Sequence, residues 1–393
     1  MRAPRSPSVS APSVLAPSVL VLSVIALIVQ GGTLMTLPAI LPHMTGDFGS
    51  LGLAATVLLV AMSGGNLIVG RLIGRMDARA VIAGGIALAA AGWLGAAMAQ
   101  DRIWLTAALA LTGAGIAGST IVPGIAIITR DMPQRRGGAL ALFLGATILG
   151  GAIMPPALTL IADLWHWRTA MMLASAAMLA TMPLLLVVRR GLATGADAPD
   201  AGRTAVLPRP GAVQVTAAMT MVQLSINGIL FALVDGLMRQ GLSHGQAVTA
   251  FGIANFMGLP ALLAGGWVAD RIGGREAFAR SGLMLAGGSA ALLAAGPFGM
   301  AGVAAFVLLW GVASALPGQT GAMMIAEVAP GARFPALLGT AVAVASLVGA
   351  LAPMLTDMML AAGGGLAGIV IAYAGLALGG AMLAGGRWSL FTK

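Results

Sequence analysis

The chain has no cysteine, which removes disulfides, thiolate metal sites and cysteine nucleophiles from consideration. Charge is scarce as well. Asp, Glu, Lys and Arg supply 8% of the residues, where a soluble domain carries roughly a quarter. Only three histidines occur, His43, His166 and His244, all near loops. Every carboxylate falls in a loop or near the end of an apolar run, which argues against a deeply buried proton relay. No nucleophile–base set or metal triad sits within an apolar run, so enzymatic chemistry, a bound metal and a cofactor are not expected. A glycine-rich nucleotide site would need a strand-to-helix context that is missing.

What the chain does contain is apolar surface. Hydrophobic residues make up 59% of it, and the mean hydropathy is +0.98. Apolar runs of about 20 residues recur along its length, each enough to cross a hydrocarbon layer ~30 Å thick. No alternation of polarity suggests barrel strands. The expected fold is an all-α membrane protein whose spans lie near 16–42, 51–73, 80–99, 104–128, 138–162, 168–188, 212–238, 246–268, 278–297, 300–326, 335–360 and 363–385.

Positive charge orients this array. With the N-terminus in the cytoplasm, Arg102, Arg168 and Arg239 alone among the 21 Lys and Arg residues face outward. The net charge of +9 therefore reads as a topology signal, and no nucleic-acid partner is expected. The expected segments are a cytoplasmic tail (1–15), a first six-helix bundle (16–188), a cytoplasmic linker rich in Gly, Ala, Asp and Pro (189–210), a second bundle (211–386) and a cytoplasmic tail (387–393). The run that follows the first tail is too long for a signal-peptide core. A bacterial inner-membrane location with both termini in the cytoplasm follows.

The halves echo one another at an offset of 196 to 197: Gly70 to Arg75 falls on Gly266 to Arg271, and Pro133 falls on Pro330. Duplication of a six-helix unit marks many transporters. After the eighth span the chain reads Gly266-Trp267-Val268-Ala269-Asp270-Arg271-Ile272-Gly273-Gly274-Arg275. This resembles the G-x-x-x-D-R-x-G-x-R loop signature of the major facilitator superfamily. The resemblance implies two pseudo-symmetric bundles, a monomer, and a gate in which Gly266 and Gly273 allow tight turns while Asp270, Arg271 and Arg275 bond neighbouring helix ends. In the first-half loop, Gly74 stands where the acidic residue belongs and Asp77 where the second glycine belongs.

Other features point to a branch. Leu109 and Ala110 occupy the position where proton-driven drug exporters of the superfamily carry an arginine, and the fifth span, Gly145 to Pro156, lacks their G-P-x-x-G-G pattern. The Gly150-Gly151 and Pro155-Pro156 pairs, Trp167-Arg168 and the stretch from Gly241 to Ala247 loosely resemble bacterial monocarboxylate-transporter-like members, although the eighth span holds no arginine to bind a carboxylate.

Amides mark the candidate cavity. Gln30, Asn66, Gln223, Asn227, Asn255 and Gln319 lie well inside spans 1, 2, 7, 8 and 10, where facing lipid would leave each unpaired at a cost of a few kcal/mol. Gln30, Thr33 and Leu37 share a face at helical spacing, as do Gln223, Asn227 and Leu230. The competing explanation is interhelical hydrogen bonding by the same residue types. Asp235 and Asp357, near outer helix ends, are the candidates for coupling to a proton or other ion. Pro38, Pro42, Pro123, Pro155, Pro156, Pro260, Pro317 and Pro353 are expected to bend their helices.

The expected function is secondary transport of a small organic solute, neutral or weakly anionic, a carboxylate included, by alternating access, as a uniporter or symporter. The main alternative is an exporter of amphipathic compounds. Copper transport is a third reading, raised by 24 methionines and the Met354–Met358 step; adaptable packing accounts for them without a metal.

Overall fold

The computed structural model describes residues 16–192, 210–329 and 334–386. Both tails, residues 193–209 of the expected linker and Pro330 lie outside these residues. The described residues form helices, and twelve of these are long and apolar enough to cross a bilayer: α1 Pro17–Phe48, α2 Gly52–Leu72, α3 Ala78–Ala97, α4 Arg102–Asp131, α5 Arg136–Leu164, α6 Trp167–Val187, α7 Gly211–Arg239, α8 His244–Ile272, α9 Gly274–Phe298, α10 Met300–Val328, α11 Leu337–Ala361 and α12 Gly365–Gly385. In hydrocarbon an unpaired peptide group costs several kcal/mol, so a run this apolar closes its hydrogen bonds within the helix. Polar residues then set the ends. Asp77 caps α3 by accepting from Arg79 N at 2.8 Å, and Asp101 caps α4 by accepting from Trp104 N at 2.8 Å. Ser243 and Gln246 form a reciprocal capping box at the start of α8.

Lipid gives no hydrophobic reason for helices to associate, so close backbone packing at small residues has to supply it. The two halves use the same contacts. A side-chain carbon added at Gly92 of α3 would sit 2.5 Å from Thr112 N of α4; at Gly288 of α9 it would sit 2.5 Å from Trp310 N of α10. Likewise Gly113 of α4 abuts the Leu58 carbonyl of α2, and Gly311 of α10 abuts the Ala254 carbonyl of α8. These pairs repeat at offsets of 196 to 198, so the duplication visible in the sequence is also a duplication of packing.

Several spans depart from regular α-helix. A π-helical turn, Gly31–Met35, interrupts α1 and is followed by Pro38. Helix α4 breaks at Thr120, three residues before Pro123, and α11 breaks at residues 350–351, before Pro353. Pro42, Pro155, Pro156, Pro260 and Pro317 instead lie inside helical segments that run on through them. A proline near a break is thus only part of the local signal.

The end of the bundle bearing Arg189 and Pro210 is here called the linker end, and the other the far end. At the linker end Arg130 pairs with Asp131 at 2.7 Å and also donates to the carbonyls of Arg189, Gly191 and Leu192. The start of the linker is therefore held against α4.

Candidate functional site

The halves meet at the far end through two latches in related positions. In the first, Asp163 near the end of α5 faces the start of α8: His43 Nε2 of α1 lies 2.8 Å from Asp163 Oδ1, and His244 Nδ1 lies 3.4 Å from the same oxygen. His244 Nε2 contacts the Ala39 carbonyl at 3.0 Å, and the two imidazoles meet edge to face at 4.6 Å. In the second, Asp357 of α11 accepts from Ser50 Oγ and from Gly52 N, the first residue of α2. Thr56 Oγ1 accepts from Met354 N at 3.1 Å beside it. A carboxylate at a helix start also meets the positive end of the helix dipole.

Beside the second latch lies a far-end cavity of about 550 Å³, whose walls include Pro38, Thr45, Ser50, Asp235, Arg239 and Asp357. Both coupling candidates therefore border one space. They differ in what they touch. Asp235 pairs with Arg239 at 2.6 Å, one helical turn away on its own half-exposed surface, whereas Asp357 bonds across the halves.

Toward the linker end, α5 and α8 stay in contact through Gly252 against Ala152, Gly151 near Asn255, and Gly145 near Leu259. Beyond that level Arg136, Gly137, Gly138 and Ala141 of α5 are exposed, as are Trp267, Val268, Asp270 and Arg271 of α8. Leu67, Ile68 and Arg71 of α2 are exposed at the same end.

The six amides fall into distinct situations. Gln30 and Gln319 are half-buried, and each has a buried Oε1 with no hydrogen-bond partner. Gln319 lies against the α8 glycine pair: a carbon added at Gly266 would sit 2.7 Å from its Nε2. Gln223 Nε2 donates to Asn227 Oδ1 at 3.0 Å, and Asn227 Nδ2 donates to the Gly349 carbonyl of α11 at 2.9 Å. That pair bonds two helices of one half. Asn255 Nδ2 donates to Phe251 O at 2.9 Å on its own helix, with Met35 and Gly151 nearby. Asn66 is half-exposed on α2 without a hydrogen bond to a described residue.

Helix α1 differs from the expected face. The π-turn adds a residue between Gln30 and Leu37, so the two no longer align as α-helical spacing requires. Thr33 and Leu37 are wholly buried, and the Thr33 hydroxyl donates to Val29 O at 2.5 Å. Thr36 Oγ1 donates to the Gly31 carbonyl at 2.7 Å across the wide turn.

The loop after α8 also differs in part from expectation. Gly273 adopts φ +87°, a turn conformation that favours glycine. Arg275 donates to the carbonyls of Ala384 and Gly386, tying α9 to the end of α12, and Arg271 stacks over Trp267 with 3.5 Å to the ring centroid. Asp270 is exposed and bonds to no helix end. Glu327 at the end of α10 instead receives Gly274 N at 2.6 Å. Its counterpart at an offset of 196 is Asp131, the partner of Arg130. Sequence reasoning missed Glu327, Asp163, His43, His244 and Ser50 as contact residues. The Asp163–Asp357 spacing of 194, close to the repeat, was the available signal.

Comparison with known proteins gives the same picture. Residues 22–355 match the sequence model described as Major Facilitator Superfamily. An MFS-type efflux pump from Mycolicibacterium smegmatis is 28% identical over 270 residues, an alignment that spans 62% of this chain and 61% of that protein. Among solved structures, the fold is similar to the nucleoside transporter NupG (TM-score 0.81, 12% identity, 96% of this chain and 100% of the other). It is also similar to a D-xylose-proton symporter (TM-score 0.75, 16% identity, 95% and 98%) and to the peptide transporter POT (TM-score 0.72, 15% identity, 93% of each). A match over most of the length, on a frame of twelve membrane-length helices, makes this chain a member of the major facilitator superfamily of membrane transporters.

Proposed function

We propose that the protein is a secondary transporter working by alternating access, drawn here with its far end closed and its linker end open, and that the linker end faces the cytoplasm. The observation that carries this reading is the placement of the cross-half contacts, His244 Nε2 with the Ala39 carbonyl and Asp357 with Ser50 and Gly52, at the far end. The arginine asymmetry supports the orientation. Reporter fusions at Thr204 and Lys393 should both read cytoplasmic; a periplasmic reading at either would overturn it.

The substrate site is assigned to the space between the halves on the linker side of the latches, with Gln30 and Gln319 as its polar contacts. A buried amide oxygen without a partner is costly in the empty state and favourable once a ligand donor reaches it. An amide both donates and accepts, so a solute bearing hydroxyl, carbonyl or carboxylate groups fits, and no charged side chain on these helices is placed to balance a strongly charged one. Asn66 and Asn255 line the same path. Asp357 is the better candidate of the two acids for coupling, because its protonation would weaken a cross-half contact. Purified protein should be stabilised against heat by its substrate class in a metabolite screen, and that compound should exchange across proteoliposomes. Stabilisation without movement would reject transport.

A second reading, export of amphipathic compounds, has its own support. Met35, Met62, Met257 and Met323 are half-buried on α1, α2, α8 and α10 and offer adaptable apolar walls, and the curated relative is an efflux pump. Right-side-out vesicles separate the two, since they accumulate the substrate of an importer and exclude that of an exporter.

A further inference from the structure

We propose that His43, Asp163 and His244 form a binding site for a divalent transition-metal ion of the zinc type, which staples α1 and α5 of one half to α8 of the other and so stabilises the far-end-closed conformation. The inference stands on the cluster itself and holds whatever the solute. One ligand atom from each residue lies within 4.8 Å of the others. His244 Nε2 faces the Ala39 carbonyl at 3.0 Å, and a carbonyl only accepts, so Nε2 carries the hydrogen. The neutral ring then presents a lone pair at Nδ1. That atom is buried, has no hydrogen-bond partner and faces Asp163 Oδ1 at 3.4 Å.

A lone pair and a carboxylate oxygen facing each other across this distance attract once a proton or a metal ion stands between them. An imidazole oriented by a backbone carbonyl on its other nitrogen is the usual form of a metal-binding histidine. Two imidazole nitrogens and one carboxylate oxygen suit zinc and leave a fourth position for water. With metal–ligand bonds of ~2.0–2.1 Å, tetrahedral ligands stand roughly 3.3 Å apart, close to the Asp163–His244 separation. The His43–Asp163 contact, at 2.8 Å, would have to open by about half an ångström to reach that spacing. His43 would ligate through Nε2 after its proton moves to Nδ1, with no net proton released. Nδ1 of His43 has no hydrogen-bond partner. Lacking the carbonyl support that His244 has, His43 makes this a reversible site rather than a permanent structural one.

The test uses the purified full chain, whose lack of cysteine removes thiolate background. Zinc chloride titrated by calorimetry should bind at one site per chain, and Co²⁺ should give the visible bands of four-coordinate geometry. His43→Ala and His244→Ala should each weaken binding by at least ~10-fold, while His166→Ala binds as wild type and all three variants remain folded by circular dichroism. Zinc at the far-end face should slow solute exchange by wild type and not by His244→Ala. Binding is read without transport, so failure of the transport reading leaves this result intact. No zinc binding up to millimolar concentration, or binding that survives loss of both His43 and His244, would overturn the site.

Discussion

At the far end, polar contacts run from one half to the other; at the linker end, the corresponding contacts bind each half to itself. Asp163 and Asp357 reach across the interface. Asp77 instead caps its own helix α3 and receives Gly191 N at 3.3 Å, Arg130 gathers the start of the linker, and Glu327 and Arg275 tie α9 to α10 and α12. The same carboxylate chemistry thus fastens the halves together at one end and stiffens each half separately at the other. Separation at the far end has to break named bonds. Separation at the linker end leaves the bracing of each half in place.

The sharpest way to break this contrast is to remove a latch. Asp357→Ala loses two hydrogen bonds to a charged group, each worth ~1.5–3 kcal/mol, so the population should move at least ~10-fold toward a far-end-open state. A single cysteine placed at Thr45, on the wall of the far-end cavity, would report this. Its reaction with an impermeant maleimide should speed up by a similar factor in the variant, and an unchanged rate would mean that Asp357 is not a latch.

The interior amides sharpen the comparison by separating binding from fastening. Gln319→Leu and Gln30→Leu lose no hydrogen bond involving the unpartnered oxygens, so melting temperature should stay near wild type while ligand affinity falls about 10-fold, the worth of one hydrogen bond. Asn227→Leu should do the reverse. It breaks the bond to Gly349 and should lower stability by roughly 0.6 kcal/mol, the usual scale for such contacts in membranes, with affinity retained. Normal affinity in both glutamine variants would remove those residues from the site.

The smallest effects belong to the linker end. Glu327→Gln should lower stability by ~0.3–1 kcal/mol at low salt through the lost charge at the start of α9, and less at high salt. Asp270→Asn should leave the melting temperature unchanged, because its exposed carboxylate bonds to no helix end in this conformation, and should slow transport only through contacts made when the linker end closes. Unchanged transport would leave Asp270 an ordinary solvated residue.

Much of the fold was legible in the sequence because the bilayer imposes a length rule: apolar runs marked the twelve helices, and a repeat of about 196 residues marked the paired packing of Gly92 with Gly288. The site was legible only in part. Amides could be found by type, but whether an amide bonds a neighbouring helix, as Asn227 does, or stays unpaired, as Gln319 does, depends on its partner's rotation about its axis. Cross-half contacts such as His244 with Asp163 join residues 81 positions apart, and no local pattern records them. Glu327, which receives Gly274 N, was not legible because the loop motif leaves open which neighbouring helix supplies an acid.

The π-turn at Gly31–Met35 carries a consequence for reading relatives of this chain. One extra residue in a turn rotates everything after it by about 100° relative to a continuous α-helix, so α1 is two helical phases joined by a spacer. A relative with an uninterrupted first helix would align with this one only through a single-residue gap near Gly31, and an ungapped alignment would equate His43 with a residue on another side of the helix. Deleting one residue within 31–35 would leave length and hydropathy almost unchanged, turn the wide turn into ordinary α-helix and keep His43 facing Asp163.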